Sequence, residues 1–243
     1  MGSGAFGFVS IGESLITDEE VAIKEIYPSQ YAAIEIEIMS SLKFRYCVSC
    51  IDWKNNPDET YIVMEYCRGG DLFKAIDAEM LTEKRVKRVA KCVLLALEYL
   101  HSHYICHRDI KPENILCYET TYDNEEVWKV TDFGLSCYFQ PGTPIFGAVG
   151  TPHYKAPEIY PPSEYTEAVD LWSLGVTIYV ALTAQFVWDG NTDAEIEASM
   201  RQGRLEYDQS LSFTAFEWIE QLLQPNPANR MTIPQALTHH WFQ

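Results

Sequence analysis

Four polar side chains in the middle of the sequence carry groups that could do chemistry together: Asp109, Lys111, Asn114 and Asp132. Asp109 and Lys111 are two positions apart, so an extended backbone would point a carboxylate and an ammonium group in the same direction. Asn114 adds a neutral oxygen ligand, and Asp132 adds a charged one on a turn that includes Gly134. A carboxylate base, a cation and two oxygen ligands are the groups that phosphoryl transfer from a magnesium nucleotide requires.

The order of residues around these four side chains forms a recognisable motif. Residues 107–114 read HRDIKPEN, and residues 132–134 read DFG. This order is the protein kinase signature, and the chain resembles a serine/threonine protein kinase catalytic domain from end to end. The resemblance implies a bilobal α+β fold. We expect a small β-rich N-lobe with one helix over 1–64, a hinge over 65–70 and a larger, mainly helical C-lobe over 71–243.

A glycine-rich segment opens the chain. Gly2, Gly4 and Gly7 precede Val9 in the pattern G-x-G-x-x-G-x-V, whose backbone N–H groups can approach a triphosphate closely. Alone, the pattern is explained better by a plain hairpin turn. The segment Val-Ala-Ile-Lys that ends at Lys24 follows at one strand's distance, and the two motifs together predict a nucleotide-phosphate site. Because the chain begins almost on this loop, we expect the strand that leads into it to be incomplete.

Lys24 requires a carboxylate partner on the next helix. Apolar residues spaced four apart predict a helix over 32–42. Either Glu35 or Glu37 could face Lys24, and the choice depends on the helix register. The spacing to the following apolar pair resembles the family pattern for Glu35, which we favour, although either glutamate could lie on a solvated face.

The resemblance also implies the rest of a nucleotide site. It places Met64 at the back of an adenine pocket and makes Asn114 and Asp132 the ligands of Mg²⁺, which Mn²⁺ could replace. The expected ATP-binding residues are Gly2, Gly4, Gly7, Val9, Ala22, Lys24, Met64, Glu65, Cys67 and Leu116.

Further residues are expected to recognise the protein substrate that accepts the phosphate. By resemblance, Lys111 in the Asp-x-Lys sequence marks serine/threonine kinases, and Thr151 is expected to contact both Asp109 and Lys111. Glu113 and Asp71 match positions that face arginine residues upstream of the acceptor in relatives that prefer basic substrates. We therefore predict protein substrates with basic residues before the phosphorylated hydroxyl.

Arg108 is the residue with which related kinases bind a phosphate on the activation segment. The usual phosphothreonine position, three residues before Gly150, is Gly147 in this sequence. The nearest hydroxyl is that of Thr143. We therefore hypothesise that activity does not require phosphorylation at the usual position.

Three residues have implied structural roles. Arg230 is expected to pair with Glu158 and so to tie the end of the activation segment to the large lobe. Asp170 resembles the family residue that braces the backbone of the catalytic loop.

Several segments resemble the calcium/calmodulin-regulated kinases, and most of all the calcium-dependent protein kinases. These segments are 113–116, the polar insert 123–126, the DFGLS sequence from 132, the block 150–158 and the closing segment 236–242. No stretch satisfies the pattern of a calcium-binding loop. If calcium regulates the full protein, its sensor would lie in a regulatory domain or partner outside this sequence. A pseudokinase scaffold and a small-molecule kinase are the alternatives. The presence of Lys24, Asp109, Asn114 and Asp132 disfavours the first, and the segment 150–158, which resembles a peptide-docking segment, disfavours the second.

Composition limits the environment and the partners. The 243 residues are 47% hydrophobic and contain no apolar run long enough to span a membrane. The seven scattered cysteines and the absence of a secretory leader predict an intracellular, cytoplasmic protein. With 35 acidic against 18 basic residues, the net charge of −17 should repel nucleic acid and suit a basic peptide.

One cluster of basic residues stands out against this acidic background. Thr82 resembles the N-cap of a long helix with apolar residues at helical spacing. The opposite face of that helix carries Lys84, Arg85, Lys87, Arg88 and Lys91. Such a cluster fits a solvated face, and it also fits a docking surface for an acidic partner.

Overall fold

The computed structural model describes residues 3–4, 7–79, 81–119, 126–160, 164–202 and 205–243. Gly2 of the predicted phosphate loop and residues 123–125 of the polar insert lie outside these ranges. Within the described residues, no helix is both long and apolar enough to cross a membrane.

The N-terminal part is a five-stranded antiparallel sheet with one helix. The strand order is β1-β2-β3-β5-β4. The strands are β1 (Ser3–Gly4), β2 (Gly7–Glu13), β3 (Glu20–Ile26), β4 (Cys50–Asn55) and β5 (Thr60–Glu65), and the helix is α1 (Ala33–Ser41). β5 alternates strictly between buried and half-buried positions, because successive strand residues point to opposite faces. The helix predicted over 32–42 is observed as α1, which begins one residue later and ends one residue earlier than predicted.

The C-terminal part is mainly helical. Its helices are α2 (Leu72–Asp77), α3 (Glu83–Ser102), α4 (Val169–Thr183), α5 (Asp193–Gln202), α6 (Phe213–Leu222) and α7 (Ile233–Thr238). Its strands are short and form three antiparallel pairs, β6 (Ile105–Cys106) with β9 (Cys137–Tyr138), β7 (Ile115–Glu119) with β8 (Glu126–Val130), and β10 (Ile145–Phe146) with β11 (Glu164–Tyr165).

Helix α4 forms the centre of this lobe. Every residue from Val169 to Ala181 is buried, as expected for a helix that is apolar on all sides. Helix α3 lies against it with one apolar face. The Thr82 hydroxyl accepts a hydrogen bond from the Arg85 N–H at 3.3 Å, which confirms the predicted N-cap.

The two parts are joined by residues 66–71, which are fixed to strand β7. The Gly69 N–H donates to the Cys117 carbonyl at 3.0 Å, and the Cys117 N–H donates to the Gly70 carbonyl at 2.8 Å. The strand pairs β6–β9 and β7–β8 carry the loops 107–114 and 131–136 between them. A β-sheet lobe with one helix, followed by a mainly helical lobe, confirms the predicted bilobal α+β fold.

Candidate active site

A buried lysine on β3 joins charges from three elements. The Lys24 ammonium donates to Glu35 Oε1 at 2.7 Å, to Glu35 Oε2 at 2.9 Å and to Asp132 Oδ1 at 2.8 Å. Glu35 on α1 is buried, whereas Glu37 is exposed. The register of α1 therefore pairs Lys24 with Glu35, the residue that we favoured over Glu37.

The electrostatics of this cluster follow from one cation lying between two carboxylates. Burial by itself lowers the pKa of Lys24, but Glu35 and Asp132 together raise that pKa above its ordinary value. Burial raises the pKa of Glu35, and the neighbouring Asp132 carboxylate raises it further. Burial also acts to raise the pKa of Asp132, but the Lys24 ammonium outweighs it and leaves this pKa lowered. The cluster therefore carries an excess negative charge, which favours a divalent cation.

Two residues of the motif have a left-handed backbone that only glycine adopts readily. φ is 68° at Arg108 and 64° at Asp132. Such conformations persist where the surrounding structure fixes them, and they concentrate at functional sites. Here the Arg108 N–H donates to the buried Asp170 carboxylate at 2.8 Å. Beside Asp132, the fully buried Phe133 ring packs edge-on against His107 at 5.2 Å.

The Asp109 carboxylate is the centre of a second network. The Thr151 hydroxyl and N–H donate to Asp109 Oδ1 at 2.7 and 3.1 Å. The Lys111 ammonium lies 2.9 Å from Asp109 Oδ2 and donates to the Thr151 hydroxyl at 2.8 Å. Asn114 Nδ2 donates to Asp109 Oδ2 at 3.1 Å and to the Asp109 carbonyl at 2.9 Å. The structure therefore brings together the base, the cation and Thr151, which the sequence places up to 42 positions apart.

The predicted metal ligands fit magnesium by their chemistry. The Asn114 amide nitrogen is committed to Asp109, which leaves its oxygen as the ligand atom. The Asp132 side chain is 42% exposed although one oxygen pairs with Lys24. Among the described residues, no three His, Cys, Asp or Glu side chains converge on a point. Two protein oxygens suit Mg²⁺, which normally completes its octahedron with water and phosphate oxygens.

Asp170 lies beneath the catalytic loop and is completely buried. Its carboxylate accepts hydrogen bonds from the His107 and Arg108 N–H groups at 2.9 and 2.8 Å, and it lies 2.9 Å from His101 Nε2. Burial acts to raise the pKa of Asp170, but His101 and the other donors outweigh burial and lower it. His101 was missed at the sequence level, because a histidine six positions before the motif has no signal of its own.

The glycine-rich loop is described only in part. Gly4 and Gly7 face each other at the tip of the β1–β2 hairpin. A Cβ atom on Gly7 would collide with the Glu25 carbonyl of β3, so the close approach of these strands requires glycine. Val9 lies opposite Lys24 in the β2–β3 register. The hairpin tip and the lysine are thus connected through one strand pair.

The other predicted ATP-binding residues surround the connection between the lobes. Ala22 lies opposite Met64 in the β3–β5 register, and Met64 and Cys67 are both buried. Leu116 on β7 forms an isolated bridge with Asp71. These residues come from both lobes, as an adenine pocket at a hinge would require.

Glu65, the last residue of β5, has a partner that the sequence did not indicate. The Lys129 ammonium on β8 donates to Glu65 Oε1 and Oε2 at 2.7 and 2.8 Å, and it lies 4.7 Å from the centre of the Tyr118 ring. The Ser49 N–H donates to Glu65 Oε1 at 2.7 Å. A buried ion pair thus connects the end of the small sheet to the strand that leads into the DFG segment.

Arg108 is surrounded by neutral oxygen atoms. Its Nε donates to the Leu135 carbonyl at 2.6 Å, and one terminal nitrogen donates to the Tyr165 hydroxyl at 3.3 Å. That hydroxyl donates in turn to the carbonyl of Gly147 at 2.8 Å. Among the described residues, no carboxylate lies within ion-pair distance of Arg108. The guanidinium is thus connected through Tyr165 to the glycine at the usual phosphorylation position.

Thr143 and Arg108 line the same groove of about 300 Å³ beside the activation segment. Thr143 is exposed. Further along the segment, Gly150 has φ of +104°, and a Cβ atom there would lie 2.7 Å from the Arg108 carbonyl. Close contact between the activation segment and the catalytic loop therefore requires glycine at this position.

The two predicted substrate-binding acids are in different environments. Asp71 is the N-cap of α2: it accepts from the Lys74 N–H at 2.8 Å, and its other oxygen lies 2.9 Å from the Lys74 ammonium. Glu113 is exposed in the 3₁₀ turn Pro112–Asn114, and none of the described residues pairs with it. Glu113 is therefore free to receive a cation, whereas Asp71 would have to exchange Lys74 for one.

Arg230 and Glu158 form a two-pronged ion pair at the end of the activation segment. The Arg230 terminal nitrogens donate to Glu158 Oε1 and Oε2 at 2.8 and 3.1 Å, and one of them also donates to the Ala168 carbonyl at 2.8 Å. The Arg230 side chain is only 1% exposed. Bidentate geometry and burial make this pair a strong constraint.

Comparison with known proteins agrees with this geometry. Residues 1–242 match the protein kinase domain family. The chain is 36% identical over 253 residues to the probable serine/threonine-protein kinase MARK-C of Dictyostelium discoideum, an alignment that covers 99% of this chain and 32% of that protein. It is also 36% identical over 255 residues to a probable myosin light chain kinase of the same organism, covering 99% of this chain and 64% of the relative.

The chain thus spans about a third of one of these relatives and less than two thirds of the other. The predicted kinase resemblance is confirmed at the level of the family, and one of these relatives is named as a serine/threonine-protein kinase. The chain belongs to the protein kinase family and is a serine/threonine-type protein kinase domain.

Proposed function

We propose that this domain transfers the γ-phosphoryl group of Mg-ATP to serine and threonine hydroxyls of protein substrates. The observation that carries the proposal is the network around Asp109, whose carboxylate lies within 3.1 Å of donors from Lys111, Thr151 and Asn114. A cation and a metal-ligand side chain are both fixed on this carboxylate base, and the buried Lys24 pairs with the partly exposed Asp132. A pseudokinase scaffold would have no need to keep these groups aligned.

Each residue has one task in this proposal. Asp109 orients the acceptor hydroxyl and takes its proton. Lys111 stabilises the negative charge that develops on the transferred group. Lys24, aligned by Glu35, binds the α- and β-phosphates. Magnesium, when bound, supplies further charge neutralisation, and Asn114 and Asp132 are the side chains that would hold it; manganese has the same ligand preferences.

The direct test is phosphate transfer to a serine peptide by the purified chain and by Asp109→Asn. We expect the variant to lose roughly 10³-fold in kcat, within the range of general-base contributions, while its thermal unfolding midpoint stays close to that of the parent. Asp77→Asn, an exposed aspartate on α2, is the matched control and should retain full activity. If the parent binds nucleotide but transfers no phosphate, the scaffold alternative replaces this proposal.

The substrate preference rests mainly on Glu113. Its carboxylate is exposed, has no partner among the described residues and lies next to the catalytic network in sequence, and the overall charge of −17 favours a basic peptide. We expect arginine or lysine upstream of the acceptor to lower KM, and Glu113→Gln to weaken this dependence more than Asp71→Asn. A peptide array that shows no loss when the upstream basic residues are replaced by alanine would exclude the preference.

Regulation forms a further part of the proposal. Gly147 cannot carry a phosphate, and Tyr165 already connects its carbonyl to Arg108. These contacts support activity without phosphorylation at the usual position. Mass-verified unphosphorylated protein should therefore be active, and an enzyme that stays inert until Thr143 is phosphorylated would refute this part alone.

The assignment to the calcium-dependent kinases rests on the sequence segments that resemble that group. In this assignment, any calcium sensor is part of a domain or partner beyond this chain. The chain by itself should then show equal activity with calcium and with a calcium chelator. A calcium response of the isolated chain would contradict this arrangement.

A further inference from the structure

A second concave surface lies apart from the catalytic network. Residues from the loop before β4, from α3, from β8 and from the C-terminal end line a groove of about 340 Å³. The residues that define this basic groove are Arg45, Lys87, Arg88, Lys91, Glu126 and Phe242. None of them belongs to the predicted nucleotide, metal or substrate residues. The groove contains part of the basic helix face that the catalytic function leaves unexplained.

Three of the four cations of the basic groove have no acidic partner among the described residues. Glu126 is occupied by Arg85, whose guanidinium lies 2.8 Å from its carboxylate and outside the groove lining. In the described part of the chain, no carboxylate lies within ion-pair distance of Arg88, Lys91 or Arg45, and Arg88 and Lys91 are exposed. Four cations therefore face one carboxylate that is already paired.

Lys87, the fourth cation of the basic groove, has only long contacts with its described neighbours. The Lys87 ammonium is 3.8 Å from Glu83 and 5.9 Å from the centre of the Trp241 ring. Arg45 contacts the face of the Tyr46 ring at 5.3 Å. Contacts with rings leave the positive charge available to an anion.

This arrangement is unusual for a solvated surface. The chain has 35 acidic residues and only 18 basic ones, yet four of the basic ones meet in a single groove. Lys87 and Lys91 are four positions apart on α3, and Arg88 and Lys91 are three apart, spacings at which like charges destabilise a helix. An anionic ligand would relieve this repulsion.

We propose that the basic groove is a docking site for an acidic peptide segment of a partner protein, rich in Asp and Glu and carrying one apolar side chain. The carboxylates fit the four cations, and the apolar side chain fits against Phe242. The cations come from two separate chain segments, the loop at Arg45 and helix α3, so a ligand several residues long can meet them together better than a single ion can. A second copy of this chain is disfavoured, because two molecules of net charge −17 repel each other.

Binding of a fluorescein-labelled peptide of Asp and Glu with one central Leu tests this site by fluorescence anisotropy on the intact chain. The control peptide replaces every Asp and Glu by Asn and Gln. We expect the acidic peptide to bind, its affinity to fall as salt is raised, and the neutral peptide to bind much more weakly. No binding of the acidic peptide at low salt, or equal binding of the neutral one, would overturn the proposal.

Charge-reversal variants test whether the acidic peptide binds at the basic groove. Arg88→Glu with Lys91→Glu should weaken binding by about tenfold, the scale expected for two exposed charge contacts that become repulsive. The matched control is Lys54→Glu with Lys84→Glu, which changes the net charge equally; Lys54 lies on β4, and Lys84 lies on α3 outside the groove lining. Equal losses in both double variants would show a general charge effect and contradict the site.

Three further measurements test whether charge reversal disturbs the fold, whether another ligand binds better and whether catalysis is affected. The milder variant Arg88→Gln with Lys91→Gln covers the case in which charge reversal disturbs α3, and circular dichroism checks its fold. Tighter binding of a DNA duplex or of anionic vesicles than of the acidic peptide would overturn the choice of ligand. Phosphate transfer to a short peptide without an acidic segment should be unchanged in the Arg88 and Lys91 variants, so this proposal fails or succeeds independently of the catalytic one.

Discussion

Two buried lysines connect the lobes of this domain, and their surroundings differ. Lys24 divides its ammonium between the carboxylates of Glu35 and Asp132, at 2.7 to 2.9 Å. Among the described residues, Lys129 donates hydrogen bonds to Glu65 only, at 2.7 and 2.8 Å. The Lys24 group therefore has one cation and two carboxylates, whereas the Lys129 group has one cation and one carboxylate.

The difference in charge balance indicates a difference in role. The Lys24 group keeps an excess negative charge and a 42% exposed Asp132 side chain, so it can still accept a cation and phosphates. In the second group, Ser49 and Lys129 occupy the Glu65 carboxylate, and the Tyr118 ring lies beside the ammonium. We infer that the first group serves chemistry and that the second one fixes the end of the small sheet against β8.

The largest expected effect comes from removing a carboxylate of the first group. Asp132→Asn keeps the shape of the side chain but removes the charged metal ligand. We expect kcat to fall by roughly 10³-fold, the scale of losing one preorganised charge contact at a reacting group, while the free energy of unfolding falls by less than about 1 kcal/mol because the site is partly exposed. Steady-state kinetics and urea unfolding of the same preparations measure both, and a large stability loss would make Asp132 structural.

The next prediction compares two glutamates on one helix. Glu35→Gln should lower kcat/KM by about 10²-fold, because Lys24 would lose its aligning charge. Glu37→Gln, two positions away and exposed, should leave kcat/KM unchanged. Losses of equal size in the two variants would mean that α1 tolerates either register and that the pairing with Glu35 has no special role.

The contrast between the two lysine groups also shows which parts of the site can be predicted from the sequence. The Lys24 group was predictable, because the VAIK and DFG motifs name two of its members and the apolar spacing of α1 favours Glu35 as the third. The Lys129–Glu65 pair was not, since both residues look like ordinary charged residues at strand positions 64 apart. His101 beneath the catalytic loop and Tyr165 beside Arg108 escaped prediction for the same reason. Long-range pairing between non-motif residues depends on the packed fold, which local patterns do not encode.

The same limit applies to Asp71 and Glu113, which the resemblance treated as equivalent acids. In the structure, Asp71 forms the N-cap of α2 and pairs with Lys74, whereas Glu113 is unpaired among the described residues. An aspartate that precedes an apolar run is a typical N-cap. That local role could have been recognised from the sequence, and it explains why we assign the substrate preference mainly to Glu113.

Breaking the second lysine pair should affect stability more than chemistry. Lys129→Met leaves the mostly buried Glu65 carboxylate without its cation, and we expect a loss of about 2 kcal/mol in the free energy of unfolding. The double variant Lys129→Met with Glu65→Leu should recover part of that loss, since no buried charge remains. Lys54→Met, at an exposed position on β4, is the matched control. At saturating ATP, kcat should stay within about threefold of the parent; a collapse of kcat in a folded Lys129 variant would show that both lysine groups serve the reaction.

The smallest expected effect is a pH dependence of the free energy of unfolding that comes from the Lys24 group. Lys24 outweighs burial and lowers the pKa of Asp132 in the folded state, so the folded protein resists protonation of this carboxylate more than the unfolded chain does. The resulting stability is fully present above the unfolded pKa of about 4 and is lost as pH falls through the lower folded value. Urea unfolding of the parent and of Asp132→Asn should therefore show the parent more stable near neutral pH, by less than about 1 kcal/mol, with the difference lost as pH falls through the lowered folded pKa of Asp132. A difference that grows on acidification would mean that the Asp132 pKa is raised in the folded state, so that burial outweighs the pairing with Lys24.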